Sequence, residues 1–262
     1  MASSTSSSNT PLLPHLHILC MDSAAEQAWE AAVKQYKLNS SPHLKYTIHD
    51  CALSQVSSEL RFDAVVSPAN SYAILDGGFD DAISRAFSPR DDYAALTRHA
   101  QAQLYTTHRG YLPPGQCQIV HLPGEWREAA RLRYHDGSGW GARYLLLLPT
   151  MRVPGRCDWN KELVYECVWS LLNRVERHND SVAEGRGGEG GEEPGRASAI
   201  ASLLMTPLGT GTGRVSYERW ARQAVLAIKH WVDSVEDPER FMERDWADLA
   251  RVHAELQLTH NI

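Results

Sequence analysis

Apolar positions along the chain fall into short runs that alternate with helical stripes. LHILCM (16–21) is a compact apolar run and reads as a buried strand. The stretch after it places Ala28, Trp29, Ala32, Val33 and Tyr36 on one helical face, with Asp22 or Ser23 standing where an N-cap belongs. In LKYTIHDC, Leu44, Tyr46 and Ile48 recur at every second position, the period of a strand with one face in the core. FDAVV (62–66), QCQIVHL (116–122), ARYLLLLP (142–149) and SAIASLLMTP (198–207) are further strand candidates. ARYLLLLP is apolar nearly throughout, as a strand covered on both faces would be. Helical spacing recurs over 79–87, 90–105, 158–178, 215–233 and 237–257, the last expected to pack on the outside. Strands alternating with helices, several of them apolar on both faces, predict an α/β sandwich with a central, largely parallel or mixed sheet.

Composition narrows this picture. The chain has 262 residues, 43% of them hydrophobic, which suits one large domain. The expected organisation is a disordered Ser/Thr-rich tail over 1–14 and a single domain over 15–262. DSVAEGRGGEGGEEPGRA (180–197) is expected to be a disordered surface insertion, because its Gly and Glu content cannot bury enough apolar area to offset ordering. A formal net charge of −6 gives no electrostatic case for binding duplex nucleic acid. No apolar run approaches the roughly 18 residues that span a bilayer, and the N-terminus lacks the pattern of a signal peptide. The five scattered cysteines form no CxxC pair and read as reduced thiols of a cytoplasmic or nuclear protein. The twelve histidines form no HxxxH pair, so no metal site is expected.

Two loops leave predicted strands and enter predicted helices, which places them on one rim of the sheet, where α/β folds bind ligands. LGTGTGR (208–214) alternates Gly209, Gly211 and Gly213 with Thr210 and Thr212. Such a loop can turn successive backbone N–H groups toward an anion, helped by the positive end of the following helix. It is neither a P-loop nor GxGxxG, and a plain βα turn is the competing reading. SPANSYAILDGGFDDAI (67–83) offers Asn70, whose amide suits a ribose diol, and Gly77 and Gly78, which permit a second nest of N–H groups. Asp80 comes at a helix start, where a carboxylate is stabilised. The competing readings are an Asx turn for Asn70 and simple capping or charge-matching for Asp80 and Asp81.

VVSPANSYAILDGGFDDAISRA resembles the first ligand loop of the macrodomain family, whose members commonly read IVNAANS, then a Gly-rich loop, then VDGAIHRA. SLLMTPLGTGTGRVSYERWARQAVLAIK resembles the family's second phosphate loop, and the likeness runs in family order from about residue 60 to 233. SPANS and GTGTG look most like a divergent fungal or phage-type branch. The resemblance implies a three-layer α/β/α fold that binds ADP-ribose or an ADP-ribosylated protein without a cofactor. It also implies either a hydrolase, cleaving a mono-ADP-ribosyl ester or ADP-ribose 1″-phosphate, or a non-catalytic reader. By that likeness Asn70 and Asp80, ten residues apart, are the catalytic pair. Gly77, Gly78 and Phe79 wrap the distal phosphate and ribose, and Gly209, Thr210, Gly211, Thr212 and Gly213 form the second phosphate loop. The sequence departs from the family at Ser67, Pro68, Leu75, Asp76 and Asp81. Where the family's adenine-contacting Asp belongs, IHDCALSQV has Cys51, so Asp50 becomes the candidate for that contact. An α/β protein for another nucleotide or phosphosugar is the third reading. His108 and Tyr217 are weaker candidates for the rim, the first expected to face solvent and the second to pack within its helix. Trp140 is expected to anchor a surface hairpin.

Overall fold

The computed structural model describes residues 13–124, 126, 139–188 and 197–262. Most of the expected N-terminal tail and the middle of the Gly/Glu-rich stretch therefore lie outside the described residues. Six strands form one sheet: β1 (His15–Leu19), β2 (Tyr46–His49), β3 (Ala64–Ser67), β4 (Gln118–His121), β5 (Tyr144–Leu147) and β6 (Ser202–Met205). Their order is β2-β1-β6-β3-β5-β4, with every neighbouring pair parallel except β4 and β5. The sheet is thus mixed and largely parallel. The helices are α1 (Ser23–Gln35), α2 (Gly78–Phe87), α3 (Ala95–His108), α4 (Leu163–Ala183), α5 (Tyr217–Glu236), α6 (Pro238–Met242) and α7 (Trp246–Gln257).

Alternation within the strands builds two cores and hence three layers. Leu16, Ile18, Val66, Leu146, Leu203 and Met205 face one core, shared with α1, α4 and α5. Leu19, Val65, Leu145, Leu147 and Leu204 face the other, shared with α2 and α3. β5 is buried on both faces, as its unbroken apolar run predicts. Trp29 of α1 meets Trp220 of α5 with ring centroids 5.4 Å apart, and both are fully buried. Each such side chain contributes at least about 2 kcal/mol by leaving water.

Differences from the sequence reading are local. Asp22 caps α1, accepting from the Ala24 N–H at 2.9 Å. α3 starts at Ala95 rather than near 90, after a turn in which Ser88 Oγ accepts from the Leu96 N–H at 3.2 Å. α4 runs on to Ala183, taking in the first residues of the 180–197 stretch. The final helical stretch is two helices, because Asp245 starts a new one by capping the Asp248 N–H. Trp140 is a correction. It is 1% exposed, with its ring 5.7 Å from Phe62 and 5.6 Å from Phe87, so it is a core residue under the sheet's α2 side. No described helix is long and apolar enough to cross a membrane, and no described cluster of His, Cys, Asp and Glu could hold a metal ion.

Candidate functional site

β1, β3, β5 and β6 are parallel, so the segments leaving them share one rim. A cleft of about 430 Å³ opens there. From the β1 side to the β5 side its wall changes character. Leu19, Met21, Ala25 and Leu53 make an apolar end, where Asp22 and Tyr217 add polar groups. The loops after β6 and β3 face each other across the middle, and Thr150, Met151 and Pro154, following β5, close the far end.

The loop after β6 is shaped by backbone. Gly209 O accepts from the Val215 N–H and Gly211 O from the Arg214 N–H, both at 3.1 Å. Among the described residues, the N–H groups of Thr210, Gly211, Thr212 and Gly213 donate to no protein group. Gly213 is required by packing. A Cβ there would stand 2.4 Å from Gly209 O and 2.7 Å from Cys157 Sγ. Gly213 O also accepts from the Cys157 N–H at 2.9 Å, which ties the loop to the segment after β5. α5 then begins under the Ser216 cap, so its positive end lies beside the free N–H groups.

The loop after β3 is shaped by side chains. Asn70 Oδ1 accepts from the N–H groups of Tyr72 and Ile74 at 3.1 and 3.3 Å, while its Nδ2 donates to Ile74 O at 2.7 Å. Asn70 therefore forms an Asx turn, the competing reading of this residue, and it lines the cleft while doing so. Ser84 Oγ donates to Leu75 O at 2.5 Å, and Thr97 Oγ1 accepts from the Leu75 N–H at 3.2 Å. Gly78 has φ +56°, which opens the first turn of α2. The N–H groups of Gly77, Gly78 and Phe79 donate to no protein group among the described residues.

Asp80 is 7% exposed, at the third position of α2, and lines the cleft. No side chain caps α2, so capping is not its role, although Asp80 and Asp81 do charge-match the first turn. Ser67 Oγ donates to Asp80 Oδ1 at 2.7 Å. Oδ2 has no hydrogen bond to protein among the described residues. Burial pushes the carboxyl up to about 7; the Ser67 bond opposes this and the nearby Asp76 charge adds to it. Two departures from the family pattern thus acquire roles. Ser67 orients Asp80, and Asp81 is held by Arg85 Nε at 2.7 Å and the Tyr93 hydroxyl at 2.6 Å.

The cleft lining brings together Asn70, Gly77, Gly78, Phe79, Asp80, Gly209, Thr210, Gly211, Thr212 and Gly213. It does not bring in Asp50, which is exposed beyond the end of β2, while Ala52 and Leu53 a few residues on do line the cleft. His108 ends α3 away from the lining and bonds Thr107 Oγ1 at 2.8 Å. Tyr217 lines the cleft, and burial together with the neighbouring Asp22 carboxylate pushes its phenol up. Sequence reasoning missed Asp22 as a wall residue, and Thr150, Met151 and Pro154 after β5. The rim rule applied to the strand ARYLLLLP would have flagged the latter.

No family model matches the chain, and no curated protein does. Among solved structures it is similar to the Oceanobacillus iheyensis macrodomain with ADP, at 18% identity and TM-score 0.43, covering 66% of this chain and 70% of that one. It is also similar to the Oceanobacillus iheyensis macrodomain with MES bound, at 16% identity and TM-score 0.41, covering 77% and 86%. An Oryza sativa APL macrodomain in complex with ADP-ribose is similar at 16% identity and TM-score 0.31, covering 52% and 78%.

Proposed function

We propose that the chain binds ADP-ribose along this rim and hydrolyses an ADP-ribosyl derivative, of the acyl-ester or 1″-phosphate type. The observation that carries the reading is the pair of facing loops whose backbone N–H groups are unpaired on one cleft. A diphosphate suits such a pair, since it accepts from N–H groups without needing Lys or Arg. The apolar end beside β1 suits a base, and the end beside Asn70, Asp80 and Met151 suits the distal ribose. The likeness of SPANS–GGFDDAI and GTGTG to the macrodomain loops supports the same ligand.

Asp80 is suited to general-base work. Its pKa near 7 matches neutral pH, Ser67 fixes one oxygen, and the residue lines the cleft, where the other oxygen can take a proton from an attacking water. Asn70 acts by holding loop 70–74 in shape against the ligand. The second reading, a non-catalytic reader, draws on that observation, because an Asn70 amide engaged with its own loop orients no water. Incubation with an ADP-ribosylated acidic peptide and with ADP-ribose 1″-phosphate separates the two. Turnover that is lost in Asp80→Ala, with ADP-ribose still bound, supports the hydrolase. Binding with no turnover of either substrate leaves the reader.

A further inference from the structure

Arg152 stands just beyond the cleft lining, next to Met151, and makes a cationic ledge there. Asn70 and Met151 pair as a parallel β-bridge, and the Ser71 N–H donates to Met151 O at 3.0 Å, so the two segments run side by side out of the cleft. Tyr72 and Arg152 come next on these segments. Arg152 Nε donates to the Tyr72 hydroxyl at 3.1 Å. The guanidinium carbon lies 5.4 Å from the centre of the Tyr111 ring, and the Tyr72 and Tyr111 rings are 5.7 Å apart. Arg152 is exposed, and no carboxylate among the described residues acts on it. On a chain of net charge −6, this is an arginine held in place by two tyrosines rather than by an acid.

We infer that Arg152, set by Tyr72 and Tyr111, docks an acidic segment of the protein that carries the ADP-ribosyl group. This rests on the ADP-ribose reading of the cleft. Nε bonds Tyr72, so the two terminal NH2 groups are the part of the fork left to take a carboxylate in a bidentate pair. Arg152 covers a face of Tyr111, and the two tyrosines pack against each other, so the cluster presents a cation rather than the open aromatic faces on which nucleic-acid bases stack. Position agrees. Strand order puts the apolar end at β1 and the Asn70–Met151 end at β5, so on the proposed reading of the cleft the distal ribose lies at the end that Arg152 follows.

The test measures affinity of the full chain for free ADP-ribose, for a mono-ADP-ribosylated peptide rich in Glu and Asp, and for an ADP-ribosylated oligonucleotide. The inactive Asp80→Asn background prevents turnover. The wild-type ledge should favour the peptide over free ADP-ribose. Arg152→Ala should weaken the peptide about three- to fivefold and leave free ADP-ribose within about twofold, as loss of an exposed, pre-set ion pair predicts. Arg152→Lys should fall between, since it keeps the charge without the fork. The inference is overturned if the peptide binds no better than free ADP-ribose, if Arg152→Ala weakens both alike, or if the oligonucleotide alone responds. Failure of free ADP-ribose to bind at all would instead remove the reading of the cleft.

Discussion

The loops after β3 and β6 face each other across one cleft and are built on opposite plans. The β6 loop is held by main-chain bonds and the Thr210 hydroxyl, has four N–H groups unpaired among the described residues, and places no ionisable side chain in the cleft wall. The β3 loop is pinned by Asn70, Ser84 and Thr97 and carries Asp76 and Asp80 into the same space. On the proposed reading, one loop is a passive anion cradle and the other brings the chemistry. Their glycines differ in kind as well. Gly213 has no room for a side chain, whereas Gly77 and Gly211 have nothing within 4 Å of a built Cβ.

The largest expected effect falls on the chemistry-bearing loop. Asp80→Asn should lower turnover of the preferred substrate by about 10²–10⁴-fold, read from single-turnover rates, while ADP-ribose affinity changes little. Gly213→Ala should come next and act on the fold of the passive loop. Forcing a methyl against Gly209 O and Cys157 Sγ should cost about 1–3 kcal/mol in denaturant unfolding and weaken ADP-ribose as well. Asn70→Ala removes three loop bonds and should lower ADP-ribose affinity about tenfold through a looser loop, with faster amide exchange over 70–78 as the check. Gly211→Ala should leave stability within about 0.5 kcal/mol and weaken the ligand if the N–H groups of that loop grip it. A Gly211→Ala that costs as much stability as Gly213→Ala would erase the distinction between the two kinds of glycine.

A pH profile sharpens the contrast further. The folded-state carboxyl of Asp80 titrates near 7, above an ordinary unfolded Asp near 4, so the native state holds more protons between those values. Stability must therefore fall as pH rises through that window, by up to about 1.4 kcal/mol per unit from this group, and level off above it. Asp80→Asn should flatten that slope. Gly213→Ala should shift the whole profile down without changing its shape.

Much of the fold was legible because its signals are local. The unbroken apolar run of β5, the stripe on α5 and the cap before α1 each depend on a few neighbouring residues. Both glycine loops were legible as strand-to-helix turns for the same reason, as was Asp80 as a carboxylate at a helix start. What escaped depends on contacts between distant parts of the chain. Trp140 looked like a surface anchor because nothing near it in sequence shows that Phe62 and Phe87 enclose it. Asp50 became a candidate only by standing beside Cys51 in the match to the family motif, yet the turn into Leu53–Gln55 brings Ala52 and Leu53 to the wall and leaves Asp50 outside. Ser67 read as a lost asparagine, and its bond to Asp80 spans thirteen positions.

The central claim is that the two loops together grip a diphosphate with its distal ribose. Calorimetric titration of the chain with ADP-ribose and, in parallel, with AMP tests it most directly. The account predicts one saturable site for ADP-ribose and at least about tenfold weaker binding of AMP, which lacks the second phosphate and the distal ribose. No heat with ADP-ribose, or equal affinity for the two, would contradict it.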